Sequence, residues 1–140
     1  MSLPSVPHVS AVLRGSTAAD VVSRYWVTAV CAGSAGVHAA LIQPHLSESV
    51  PLGLAFAAAT PALAVAALMV RQPRHDPWAP AAAAAVLGVI AVSYLLSRTT
   101  GIPLLIDEAE QLDPLGTVTT VAELAGALCG AMLMSRRDKA

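Results

Sequence analysis

Four long stretches of this chain are almost free of charge: Tyr25 to Ile42, Leu52 to Val70, Trp78 to Ser97 and Leu115 to Met134. Each is close to the ~20 residues a helix needs to cross ~30 Å of hydrocarbon at 1.5 Å per residue. Between them they carry one imidazole, His38, and one carboxyl, Glu123. At that depth only helices and closed barrels satisfy every backbone polar group, and an open sheet does not. None of the four has the sustained polar face of a helix lying in the interface. The predicted fold is all-α, a four-helix transmembrane bundle running up-down-up-down.

Composition agrees with this. Charged residues make up only 12% of the 140 residues, about half the usual share of a soluble domain. With a net charge of −1, there is no basic footprint for nucleic acid. The chain is long enough for one domain only. Its apolar residues are mostly Ala, Val and Leu, and such small side chains suit closely packed helices.

Charge placement predicts direction. Arg14 and Arg24 precede the first span, Arg71 and Arg74 separate the second and third, and Arg136, Arg137 and Lys139 follow the fourth. Of the eight basic residues, only Arg98 lies on the other side. The excess of Lys and Arg marks the cytoplasmic face, which predicts both termini inside (N-in/C-in) in a multi-pass membrane protein. Residues 1–23 read as a loosely ordered cytoplasmic tail with room for a short surface helix, 24–135 as the membrane domain and 136–140 as a second tail. The segment AGSAGVHAA has spacings that a signal peptidase cuts, but its apolar core is weak and over twenty residues precede it; an uncleaved span is expected.

Proline punctuates the spans. Pro44 and Pro51 bracket the first loop, Pro73, Pro77 and Pro80 mark the second, and Pro103 and Pro114 the third. Prolines belong between helices or in a first turn. Pro61 falls inside the second span and predicts a kink there. Tyr25, Trp26, Trp78 and Tyr94 lie near the span ends, where amphipathic rings sit at the membrane surface.

The costly polar residues then sort by depth. His38 sits near the outer end of the first span, and His45 and Glu48 follow it. Arg98 closes the third span, and Glu123 lies about two turns into the fourth. All five belong to the outer half, a predicted polar cluster at that face. A carboxylate within a span costs about 2.5–3.5 kcal/mol on insertion scales, so Glu123 should face the interior and either be protonated or have a partner. Arg98 is the expected cation, and a structural Glu–Arg or Glu–His pair fixing the helix register is the plain alternative to a functional site. A second reading takes His38, His45, Glu48 and Glu123 as ligands of a transition metal ion such as Zn²⁺, Fe, Mn or Cu. The spacing H-x6-H-x2-E matches no compact metal motif. Haem is less favoured, because His38 offers one axial ligand while His45 is too far out and His8 and His75 are cytoplasmic.

Cys31 and Cys129 both lie in apolar runs and read as packing residues in preference to a redox pair. Ala29, Gly33, Ala32 and Gly36 of the first span, and Gly126 and Gly130 of the fourth, follow small-xxx-small spacing that predicts close helix contacts. Thr117, Thr119 and Thr120 suit bonds to helical carbonyls or to a neighbouring helix. At the end of the third span, Gly101 and Pro103 form a structural turn: glycine permits positive φ and proline blocks helix continuation.

The stretch SRTTGIPLLIDEAEQLDPLGTVTTVAELAGAL (97–128) resembles a motif of small, functionally uncharacterised four-helix membrane proteins of high-GC, actinobacterial-type bacteria. In these a third helix ends in R-T-x-G-[IL]-P, an acidic outer loop follows, and P-x-G-x-x-[DT] begins a fourth helix carrying Glu. GVHAALIQPHLSESVPLGLAFAAATPALAVAAL is similar to their H-x-x-L-x-x-x-H-x-x-E segment. The resemblance spans nearly all of residues 36–128 and carries over His38, His45, Glu48, Arg98, Thr99, Gly101, Pro103, Pro114, Gly116 and Glu123. Here the outer loop is more acidic and lacks the usual Gly-Pro, and the fourth helix starts with Thr where Asp is common. The resemblance implies this topology in a bacterial inner membrane and brings no activity with it.

Three functions follow as expectations. The first is a membrane-embedded binding or sensing module with a polar or metal site at the outer face. The second is an accessory subunit, meeting a membrane-protein partner or a second copy of itself through small-residue faces in the lipid bilayer. The third is a small transporter. An enzyme is least supported, since no nucleophile–base pair or phosphate loop is present.

Overall fold

The computed structural model describes residues 18–72, 78–103, 105 and 108–137. These residues form four α-helices: α1 (Ala18–Glu48), α2 (Val50–Arg71), α3 (Ala79–Thr99) and α4 (Pro114–Arg137). All four are long and apolar enough to cross a membrane, as a multi-pass membrane protein requires, and the fold of the described residues is all-α. His8, Arg14, Arg74, His75, Asp107 and Lys139 lie outside the described residues.

The helices alternate in direction, so the bundle has two unlike ends. The connections α1–α2 and α3–α4 meet at one end, here called the hairpin end. The start of α1, the end of α2, the start of α3 and the end of α4 share the other, here called the terminal end. Arg24, Arg71 and Arg136 occupy the terminal end, where Arg24 Nη1 donates to the Val70 carbonyl at 3.4 Å and Arg136 pairs with Asp20 at 3.3 Å. Exposed Tyr25, Trp26 and Trp78 ring the same end. Arg98 lies at the opposite one.

α1 is longer at both ends than the span in the sequence. Residues 18–23, expected to be loose tail, form its first turns, and its last turns run through Pro44 to Glu48. The expected outer loop of 43–50 shrinks to Ser49, which is extended at φ −153 and ψ 120. Pro44 leaves the Ala40 carbonyl without its helical donor, yet it does not end the helix, as is common for proline in apolar spans. The hairpin closes because Ser49 donates to the His45 carbonyl at 2.8 Å and Gly53 donates to the Ser49 carbonyl at 3.0 Å. A Cβ at Gly53 would meet the Leu46 Cα at 2.7 Å, so only glycine permits this approach. α2 continues through exposed Pro61.

Without water to drive association, helices in lipid are held by close packing and interhelical hydrogen bonds. The apolar core joins Val27, Cys31, Leu63, Val70, Ala83, Leu87 and Leu133 from all four helices. Gly126 abuts Leu87 and Val30, and a Cβ at Gly130 would meet the Pro80 carbonyl oxygen at 2.8 Å. The expected contact face of α1 is different: Ala29, Ala32, Gly33 and Gly36 are exposed, and a Cβ at either glycine would meet nothing within 4 Å. Rotation about the helix axis turns that stripe outward and packs Val27, Val30, Cys31, Ser34 and Ala35 inward instead. Cys31 and half-buried Cys129 are free thiols within or against this core.

Candidate functional site

Towards the hairpin end the core gives way to a cavity. α1 packs closely on α2 and α3 on α4, but α2 and α3 touch least among neighbouring helices. Their divergence leaves a half-enclosed space of about 790 Å³ bordered by all four helices. Alanines 55, 58, 59, 62 and 85 with Val86, Val89 and Ile90 form its apolar wall. Several of these, including Ala55, Ala58 and Val89, are exposed, so the space opens sideways between α2 and α3. Ile102 and Leu105 of the α3–α4 connection border it at the hairpin end.

Four of the five residues expected in the polar cluster border this one cavity: His38, His45, Arg98 and Glu123. Glu48 does not; it is exposed at the end of α1. The pairings also differ from expectation. Glu123 is 1% exposed, and its carboxyl receives the hydroxyl of Ser34 on α1, not the guanidinium of Arg98. Arg98 instead donates to Glu110 at 2.7 Å, to the Gln111 carbonyl at 2.6 Å and to Asp113 at 2.9 Å. Distance along α4 explains the change. Glu123 lies ten residues beyond Asp113, about 15 Å of helix rise, so the loop acids reach Arg98 first.

These acids build the hairpin-end rim. Asp113 Oδ1 accepts the Gly116 amide at 2.6 Å, which makes Asp113 the N-cap of α4, with Pro114 at the first helical position. Its Oδ2 binds Arg98 and takes the Tyr94 hydroxyl at 3.3 Å. Tyr94 also meets Thr117 Oγ1 at 3.1 Å, and the Arg98 guanidinium stands 4.7 Å from its ring centre. Gly101 adopts φ 73 just past the α3 cap, turning the chain so that Glu110 donates its amide to the Ser97 carbonyl at 2.9 Å. Tyr94 therefore faces α4 and its ion pairs, a more specific place than a membrane-surface ring.

The deeper polar groups lie on α1. His38 Nδ1 is 2.9 Å from the Ser34 carbonyl, and His45 Nδ1 is 2.8 Å from the Leu41 carbonyl. A carbonyl only accepts, so each Nδ1 carries a proton, and in the uncharged ring Nε2 is left as an acceptor. Phe56 of α2 holds both rings, stacked on His45 at 4.1 Å and tilted to His38 at 5.1 Å. The Ser34 hydroxyl is also 3.4 Å from His38 Nδ1. Glu123, Ser34 and His38 thus form one polar chain crossing from α4 to α1.

Ser34, Phe56 and Asp113 are working residues that the sequence did not single out, and Tyr94, expected only as a membrane-surface ring, joins them. Ser34 sits one turn before His38, and Asp-Pro ahead of an apolar run is a helix-start signal, so both left a trace. As for a metal ion, no three His, Cys, Asp or Glu among the described residues are grouped to hold one. His38, His45, Glu48 and Glu123 are not drawn together as a ligand set. A haem ligand pair has the same difficulty, since His38 and His45 share one face of one helix, both against Phe56.

No known protein family matches the chain, and neither a curated protein nor a solved structure is similar to it.

Proposed function

We propose that this protein is a membrane-embedded binding module that takes a lipid-soluble small molecule into the cavity between α2 and α3, at the extracytoplasmic end of the bundle. The observation that carries it is the cavity's design: about 790 Å³, apolar walls open sideways, and His38, Glu123 and Arg98 placed on its border. Ligand sites are concave, largely apolar and marked by a few polar groups, at volumes of about 300–1,000 Å³. A space that opens between two membrane helices is reached from the lipid, so its occupant is lipophilic. The clustering of Arg24, Arg71 and Arg136 at the terminal end supports an orientation with both termini cytoplasmic.

The test uses the full-length chain in detergent with 1-aminoanthracene, a lipophilic fluorophore. Saturable enhancement is expected in the wild type. Ala59→Phe, which fills the cavity, should weaken it about tenfold with helix content unchanged. Equal binding by both proteins contradicts the reading.

A transporter is less well supported. Between the polar chain and the terminal end the interior is filled by Val27, Leu63, Val70, Leu87 and Leu133, which offer no hydrogen bonds to a polar cargo. An accessory subunit remains the second reading, favoured by the exposed Ala29, Ala32, Gly33 and Gly36 of α1. Gly33→Leu and Gly36→Leu should then release a co-purifying partner while leaving fluorophore binding intact.

A further inference from the structure

We infer that the cavity selects an uncharged lipophile whose head donates a hydrogen bond, of the alkylphenol kind, and that His38 Nε2 receives it. This rests on the binding reading above and specifies its ligand class. Two features of the site lead there.

The first is hydrogen-bond polarity. His38 and His45 spend their Nδ1 protons on the backbone carbonyls of Ser34 and Leu41. What they retain is Nε2, an acceptor in the uncharged ring, with no protein partner among the described residues. The neighbouring Glu123 carboxyl already draws on the Ser34 hydroxyl. At the deep end the Thr119 and Thr120 hydroxyls can donate or accept, but His38 Nε2 can only accept, so the head that complements it must supply the proton. His38 is the one in contact with the buried polar chain, where a hydrogen bond is least weakened by water.

The second is charge. Arg98 is the cation at the rim, and its Nη atoms are taken up by Glu110, Asp113 and the Gln111 carbonyl. Its Nε is buried and has no hydrogen-bond partner among the described residues. One guanidinium between two carboxylates leaves the rim net negative, with Glu108 close by in sequence. A carboxylate or phosphate head meets repulsion from the two carboxylates and finds both Nη atoms of Arg98 already engaged, which disfavours fatty acids and phospholipids. A hydroxyl on an apolar tail satisfies both constraints.

The experiment displaces 1-aminoanthracene from full-length protein with three probes of matched tail: 4-octylphenol, 4-octylanisole and 4-octylbenzoate. The anisole differs from the phenol by losing its O–H, and the benzoate by gaining a negative charge. The phenol is expected to compete at least about tenfold better than either. In His38→Phe, which keeps a ring against Phe56, the phenol should fall to the level of the anisole while the anisole is unchanged. Equal competition by phenol and anisole in the wild type overturns the donor-head inference and leaves the cavity reading standing. Tighter binding of the benzoate overturns the charge argument. No binding of the fluorophore or of any probe removes both. Because the comparison of probes needs only wild-type protein, a variant that fails to fold does not rescue the inference.

Discussion

Ser34 of α1 donates its hydroxyl to the carboxyl of Glu123 on α4, a cross-bundle hydrogen bond between residues that are 4% and 1% exposed. Removing one partner strands the other. Ser34→Ala should cost about 1–3 kcal/mol, whereas Ser34→Ala combined with Glu123→Leu should recover part of that loss. A double-mutant cycle of unfolding in mixed micelles should give a coupling of about 0.6–1.7 kcal/mol. A coupling of zero would mean that the two side chains do not meet.

The single-residue turn between α1 and α2 depends on the missing side chain at position 53. Gly53→Ala drives a methyl group against the Leu46 backbone and should destabilise the protein by about 1–3 kcal/mol. Gly33→Ala, where space is open, should leave stability unchanged or raise it by up to about 1 kcal/mol through helix propensity. Thermal unfolding of the two variants side by side checks the contrast.

Asp113 both caps α4 and holds Arg98. Asp113→Ala should cost about 0.5–2 kcal/mol from the cap alone, and hydrogen exchange at the Gly116 amide should quicken. Asp113→Asn keeps an oxygen for the cap but loses the charge, so Gly116 should stay protected. Equal exchange in the two variants would show that the ion pair, and not the cap, protects this turn.

The bundle's direction is open to a simple test. A periplasmic alkaline phosphatase fused at residue 110 should be active, and one fused after Ala140 silent. The reverse pattern would place the cavity at the cytoplasmic end.

The spans were legible because a bilayer leaves few solutions to a chain with four uncharged stretches of this length. His38 and Glu123 stood out for a related reason: the cost of burying them demands an explanation. Their partners were not legible. Which side of α1 turns inward depends on a rotation that sequence periodicity hardly constrains when both faces are apolar, so Gly33 and Gly36 were expected inside and Ser34 was passed over. The expected Arg98–Glu123 pair treated residues at one end of two helices as neighbours. The fold of the acidic loop, which brings Glu110 and Asp113 back to Arg98, was not encoded in any local pattern. Asp113-Pro114 was the exception, a helix start that its residue types announce.

Photolabelling tests the central claim most directly. A diazirine-bearing alkylphenol irradiated with the protein in lipid nanodiscs should label cavity-wall residues such as Ala59, Val86 and Ile90. Excess 4-octylphenol should suppress that labelling, and Ala59→Phe should abolish it. Labels spread over outward-facing Val65, Leu68 and Val121, indifferent to competitor, would contradict a binding cavity between α2 and α3.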